Sequence, residues 1–299
     1  MRRGNDNGLV TERAASRTAI LVCQGRAVAD GRLGVGRFSD PIATHLLVDG
    51  EHEVVDRVRA GQAPKAVGAR IEYELLCATA EVLAARTVAI DEALREHRNP
   101  QLVILGAGLD ARAWRMPELA QVAVFEVDHP ASQAEKRARL GEREPLTPAR
   151  FVPVDFGTDA LGAALNAAGH DESRPTTWIW EGVVPYLSPA EVSETVTELA
   201  RRSAPGSRVI ATYPTSNRLY SVGRRIMEIL LSVTGRTNPM AREPQRSNWT
   251  PDTMAAVMTA HGFTVTRDRD KLTVAHDSGV EGRPESFRST GRLLVADRL

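Results

Sequence analysis

The chain has 299 residues, 42% of them hydrophobic and 25% charged, with 38 Lys and Arg balanced by 38 Asp and Glu. That length can bury a substantial core, while zero net charge gives no global steering toward nucleic acid or an acidic membrane. Two cysteines, Cys23 and Cys77, make no disulfide framework, and no apolar run approaches the ~20 residues of a membrane span or the core of a signal peptide, so a cytoplasmic location is expected.

Residues 11–98 carry a mostly helical apolar pattern, clearest at 18–23 and 82–86, interrupted by a glycine-punctuated turn at 31–40 that closes on Asp40-Pro41. This stretch has no strands of its own, so residues 1–98 are expected to form a helical cap on a domain spanning 99–299. From Gln101 the pattern alternates. Short β-rich runs stand at 102–105, 122–127, 150–154, 176–180, 207–213, 263–266 and 292–296, with helical patterns between the earlier ones. Such alternation predicts an α/β fold, a doubly wound and mostly parallel Rossmann-like sheet of seven strands. Ser188-Pro189-Ala190-Glu191 marks one helix start, with serine at the N-cap, proline at N1 and glutamate at N3. Thr250-Pro251-Asp252 marks another, which ends at Gly262. An insert of about 214–250 follows the fifth strand, where loops of such sheets meet their substrates.

The most informative segment is Gln101-Leu-Val-Ile-Leu-Gly-Ala-Gly-Leu-Asp-Ala-Arg-Ala-Trp-Arg115. An apolar strand runs into Gly106-x-Gly108 and then a helical pattern, the turn that cradles a nucleotide-like cofactor. The motif also satisfies the dinucleotide pattern, and Glu126 follows Gly106 by 20 residues, where a ribose-binding acid belongs. An NAD-dependent oxidoreductase is therefore the rival enzyme, and a catalytically inactive binding module the non-enzyme rival. The strand ends favour a different cofactor. They deliver Gly106 and Gly108, then Glu126 and Asp128, then Asp155-Phe156, then Glu181. Four acids around one crevice suit a cationic ligand and would repel a pyrophosphate. S-adenosylmethionine (SAM) has a sulfonium, an ammonium and no phosphate.

Four blocks also carry a resemblance: Leu105-Gly-Ala-Gly-Leu-Asp-Ala-Arg112, Phe125-Glu-Val-Asp-His-Pro130, Val152-Pro-Val-Asp-Phe156 and Trp180-Glu-Gly-Val-Val-Pro-Tyr-Leu187. With 18–27, Arg37-Phe-Ser-Asp-Pro-Ile-Ala43 and Val67-Gly-Ala-Arg70, the sequence resembles the leucine carboxyl methyltransferase family, and in particular its bacterial branch of SAM-dependent O-methyltransferases. Some of those esterify a carboxyl group of a polyketide. The resemblance implies that Gly106 contacts SAM, Asp128 binds its ribose, Asp155 and Phe156 hold the adenine, Arg70 pairs with the methionine carboxylate, and Glu181 sits near the sulfonium.

Methyl transfer needs mostly proximity and alignment, because the donor is already activated. A carboxylate acceptor needs no general base, whereas a phenol gains from one. No convincing base stands out, which favours a carboxylate on a small molecule. Tyr186 and Tyr213, at the ends of the fourth and fifth strands, are candidates to orient the acceptor; His129, before Pro130, reads as structural. In the insert, Tyr220, Arg224 and Arg225, with Arg246 beside them, are candidate substrate residues, since arginine pairs with carboxylates in a fork. The seven histidines form no metal-binding pattern. No nucleic-acid or membrane partner is expected, and the oligomeric state is open.

Overall fold

The computed structural model describes residues 17–215, 245–287 and 291–299. Its strands are β1 (Gln101–Leu105), β2 (Ala123–Asp128), β3 (Ala149–Pro153), β4 (Thr176–Trp180), β5 (Arg208–Tyr213), β6 (Thr264–Asp270) and β7 (Arg292–Asp297). They form one sheet in the order β3-β2-β1-β4-β5-β7-β6. Neighbours from β3 through β5 are parallel, and β7 runs antiparallel to both β5 and β6. Strands β1 and β4 are buried along their whole length, which is why they read as apolar runs rather than as alternations.

Strand β6 extends four residues beyond its expected end at 266. The extension is charged, and three of its four charges meet an opposite charge. Arg267 meets Glu96 at 3.0 Å, Asp268 meets Arg292 at 2.7 Å, and Arg269 meets Asp277 at 2.6 Å. A bulge between Val265 and Arg267 shifts the register on this edge strand, where charges also discourage pairing with another chain.

Helices α1 (Arg17–Ala29), α2 (Pro41–His45), α3 (Gly50–Arg59) and the 30-residue α4 (Val67–Glu96) form the cap. They do not make a core of their own. Cys23, Ala27, Leu76 and Val88 pack in one cluster with Ile104, Val124, Ile179, Ile210 and Val295 from a single face of the sheet. The segment boundary at 98–99 therefore runs through a shared core. The opposite face, with Val103, Phe125, Trp178 and Val209, is covered by α8 (Pro189–Arg201) and α9 (Pro251–Ala260). The order in between is α5 (Arg112–Arg115), α6 (Pro130–Leu140) and α7 (Leu161–Ala167); α10 (Lys271–Ser278) and α11 (Pro284–Phe287) precede β7. Helix α8 starts with the capping box read from sequence: Ser188 Oγ accepts from the Glu191 N–H at 3.3 Å, and Glu191 accepts from the Ser188 N–H at 2.6 Å. Thr250 and Thr253 make the equivalent box on α9, each such cap contributing about 1 kcal/mol.

The strand order reverses between β1 and β4, so the carboxyl ends of these strands flank the crevice where ligands of open α/β sheets bind. Residues 216–244 lie outside the described residues, and with them the candidates Tyr220, Arg224 and Arg225. No helix among the described residues is long and apolar enough to cross a membrane.

Candidate active site

Gly106 and Gly108 take φ of 63° and 48°, a left-handed backbone that favours glycine. Close approach adds a second reason. A Cβ on Gly106 would run into Val183, after β4, and one on Gly108 would come within 3.3 Å of the Ala19 Cβ on α1. The loop is thus held between the sheet's switch point and the cap.

Asp128 closes β2 beside this loop. Its Oδ2 accepts from the Gly108 N–H at 2.5 Å and its Oδ1 from the His129 N–H at 2.6 Å. The carboxylate sits at the crevice with lone pairs left for further donors. His129 caps α6, its Nδ1 accepting from the Ala131 N–H at 3.2 Å, and its Nε2 lies 3.9 Å from Asp155 Oδ2. At the end of β3, Asp155 accepts from the Gly157 N–H at 3.0 Å, and Phe156 is 44% exposed, an aromatic face beside the crevice rather than in the core.

Two of the four expected acids are placed differently. Glu126 lies one strand repeat deeper than Asp128, inside the core and not at the sheet edge. It pairs there with Lys136 Nζ at 2.5 Å, both side chains 1% exposed. Burial, opposed by Lys136, pushes its carboxyl up to about 7. It is not a ribose ligand. Glu181 is at the crevice, but Arg86 Nη2 lies 2.7 Å from its Oε1 and Arg112 Nη1 3.3 Å from its Oε2. Burial would raise its pKa, yet Arg86 and Arg112 outweigh that and hold it below the usual glutamate range. Its charge is compensated within the chain rather than held for a sulfonium. The acid-rich crevice expected from sequence therefore presents two open carboxylates, Asp128 and Asp155.

The arginines were the missing half of that reading. Arg112, 1% exposed, bonds Asp91 at 2.8 Å and also Asp110, and reaches Glu181. Arg115 bonds Asp91 at 2.7 Å, and Arg26 meets Asp40 at 3.2 Å while donating to the Leu109 carbonyl at 2.5 Å. This buried network ties α1, α4, the glycine loop and the end of β4 together. The sequence signal was there in Arg86 and Asp91, two charges within an apolar stretch of α4.

Arg70 does not reach the crevice. It lies in the first turn of α4, half-exposed, bonded to Glu74 at 2.8 Å and stacked near the Tyr73 ring. Sixteen residues separate it from Arg86 on the same helix, about 24 Å along the axis at ~1.5 Å per residue. Arg86 is the α4 arginine at the site. Its Nε is buried with no hydrogen-bond partner among the described residues.

Residues 19–200 match the leucine carboxyl methyltransferase family. The chain belongs to that family. A Mycobacterium tuberculosis protein, provisionally named an S-adenosyl-L-methionine-dependent methyltransferase, is 31% identical over 231 residues, covering 75% of this chain and 73% of its own length. A relative with the same provisional name from Mycobacterium sp. (strain JLS) is 35% identical over 204 residues, and the match spans 64% of that relative's length. Among solved structures, a DUF574 family protein from Streptomyces avermitilis aligns with a TM-score of 0.57 at 14% identity, over 95% of this chain and 98% of the other. A provisionally assigned methyltransferase from Thermobifida fusca aligns with a TM-score of 0.55 at 15% identity, over 99% of each chain. At such identities the likeness establishes the shared fold.

In this member of the leucine carboxyl methyltransferase family a cavity of about 120 Å³ is lined by Arg86, Tyr213, Lys271 and Arg292 with Val82 and Leu293. Tyr213 lines it but is 2% exposed, and its hydroxyl donates to Asp268 at 2.5 Å. Burial and Asp268 raise its pKa far above the ordinary tyrosine value, and the hydroxyl expected to orient an acceptor is engaged by Asp268. Tyr186 lies on the 3-10 turn Val184–Tyr186 and is not among the cavity's lining residues. Arg246 does not point inward: it is half-exposed and pairs with Glu191 on α8 at 2.9 Å.

Proposed function

We propose that this protein transfers the methyl group of SAM to an oxygen of a small-molecule acceptor, a carboxylate in preference to a phenol. The observation that carries this reading is Asp128, a carboxylate at the end of β2 bonded to the Gly108 N–H of a loop in which a Cβ on Gly106 would run into Val183. The site's residues fit the cofactor. Asp128 can accept from ribose hydroxyls, Asp155 from an adenine amino group, and Phe156 offers a ring face. The buried Nε of Arg86 is a donor for the methionine carboxylate, the role the resemblance had put on Arg70. When bound, SAM supplies an electrophilic methyl, and its sulfur takes the electron pair of the broken S–C bond as the acceptor's O–C bond forms. The chain's own part is to align the reactants and exclude water.

The dinucleotide alternative meets an obstacle in α5. In that fold the pyrophosphate rests on the N-terminus of the helix after the glycine loop. Here that helix is a single turn, Arg112–Arg115, and the preceding Asp110 is buried against Arg112. A pyrophosphate there would face a carboxylate instead of open N–H groups.

Calorimetric titration with S-adenosylhomocysteine tests the reading. The wild type is expected to bind it, and NAD is expected to leave the melting temperature unchanged. Asp128→Ala should weaken binding by ~1.5–3 kcal/mol, the range for hydrogen bonds to a charged group, with the fold retained. Stabilisation by NAD alone, or full affinity in a folded Asp128→Ala variant, contradicts the assignment. Arg86→Met distinguishes the two ends of the ligand. It should weaken S-adenosylhomocysteine roughly tenfold or more, at ~1.4 kcal/mol per decade, and leave 5′-methylthioadenosine, which lacks the amino-acid end, within about twofold. Equal losses for both ligands would place Arg86 elsewhere.

A further inference from the structure

Thr212 lies near the carboxyl end of β5, half-buried, and its hydroxyl oxygen accepts from the Gly182 N–H at 2.9 Å. That bond holds the turn after Glu181, where Gly182 takes φ of 74°. It leaves the hydroxyl hydrogen to give, and no acceptor among the described residues takes it. Thr212 lines the cavity described above. The other polar side chains of the lining are engaged. Arg86 faces Glu181 and Arg292 faces Asp268, both at 2.7 Å, the Tyr213 hydroxyl is used by Asp268, and Lys271 has a partner within the chain. The remaining wall is largely apolar, with Val82, Val274, Phe287 and Leu293. An apolar pocket with one placed polar group holds an apolar body and orients a single oxygen. The position also suits transfer. Gly182 and Pro185 belong to the same lining, and Val183, next to Gly182, is the residue against which Gly106 of the cofactor loop packs.

Resting on the methyltransferase reading above, we propose that this cavity receives the apolar body of the methyl acceptor, and that Thr212 donates a hydrogen bond to the carboxylate oxygen that does not attack. The same contact favours a carboxylate over a phenol. A donor on the attacking oxygen draws off the electron pair that must form the new bond, and a phenol has no other oxygen to offer. A carboxylate has two, so one is held while the other stays free. The acceptor enters ionised. Its free oxygen forms the bond to the methyl carbon as the carbon–sulfur bond breaks, the electron pair remaining on sulfur. No proton moves, and Thr212 keeps its own.

The test uses the full chain saturated with S-adenosylhomocysteine and titrates octanoate, acetate and toluene by calorimetry. In the wild type octanoate should bind roughly tenfold or more tightly than acetate, because the apolar wall meets only the longer acid. Thr212→Val, close in shape, should weaken octanoate roughly tenfold or more, the loss of a hydrogen bond to a charged group, and leave toluene, which has no oxygen, within about twofold. Thr212→Ser should hold octanoate within about threefold, and both variants should bind S-adenosylhomocysteine within about threefold of wild type. If Thr212→Val does not fold, Thr212→Ala takes its place with the same expectation. Full octanoate affinity in the folded valine variant overturns the proposal. So do equal losses of octanoate and toluene, which mark a structural role through Gly182, and wild-type octanoate binding no tighter than acetate. Failure of S-adenosylhomocysteine to bind the wild type is a separate result, and it would overturn the cofactor reading instead.

Discussion

Arg112→Met is expected to cost at least ~3–5 kcal/mol of folding stability, the range for breaking a buried ion pair by removing one partner. The side chain is 1% exposed and faces Asp91 and Asp110 in the core and Glu181 at the crevice. Methionine fills much of the volume but leaves those carboxylates with less compensation in a medium that solvates charge poorly. Asp91 keeps Arg115 and Glu181 keeps Arg86, so the largest deficit falls on Asp110. Burial would raise the Asp110 pKa, but Arg112, with Arg26 and Lys136, holds it at about 2. A carboxyl depressed in the folded state contributes stability above its unfolded value of about 3.8, lost as pH falls through about 2. The advantage of wild type over the variant should therefore shrink as pH falls from about 3.8 towards 2. Urea unfolding followed by circular dichroism across pH 2–7 measures both effects. A loss under ~1 kcal/mol at neutral pH would mean that the network contributes little. Arg112→Lys should recover only part of the loss, because an ammonium cannot present the same planar fork to several acids.

Glu126→Leu is expected to cost a similar ~3–5 kcal/mol, since it strands the Lys136 ammonium in the core, whereas Glu126→Leu combined with Lys136→Met should return near to or above wild-type stability. The lysine has additional support from aromatic faces, with its Nζ 5.0 Å from the Trp114 ring centroid and 5.8 Å from that of Phe151. That support does not replace a counter-charge. Glu126→Gln separates titration from packing. Burial raises the Glu126 carboxyl to about 7, so the stability it contributes is fully present below its unfolded value of about 4.5 and is lost as pH rises through 7. The stability of wild type relative to Glu126→Gln should therefore fall between those pH values. A double variant as unstable as Glu126→Leu alone would mean that shape, and not charge, makes the site costly to change.

Both expectations concern residues that sequence reading either misplaced or passed over, and the cause is the same. The glycine turn, the succession of strands along the chain, the capping box at Ser188 and the acid ending β2 were legible because each is a local feature: a period, a spacing, or a cap a few residues long. Family membership was legible from four such blocks in order. The acids were legible as residues but not as charges. Glu126 and Asp128 lie two positions apart on one strand, yet one meets Lys136 in the core and the other meets the Gly108 N–H at the sheet edge. Glu181 has the composition of a sulfonium partner, but α4 brings Arg86 and α5 brings Arg112 to compensate it. Arg70 and Arg86 lie on one 30-residue helix, yet Arg70 pairs with Glu74 near its start while Arg86 meets Glu181 at the crevice. The sequence by itself determined the scaffold, the cofactor loop and the family. The tertiary structure decided which charges are exposed and which are compensated, because charge compensation depends on distances between segments far apart in the chain, 69 residues for Arg112 and Glu181 and 171 for Arg267 and Glu96, and the chain's local pattern does not encode those distances.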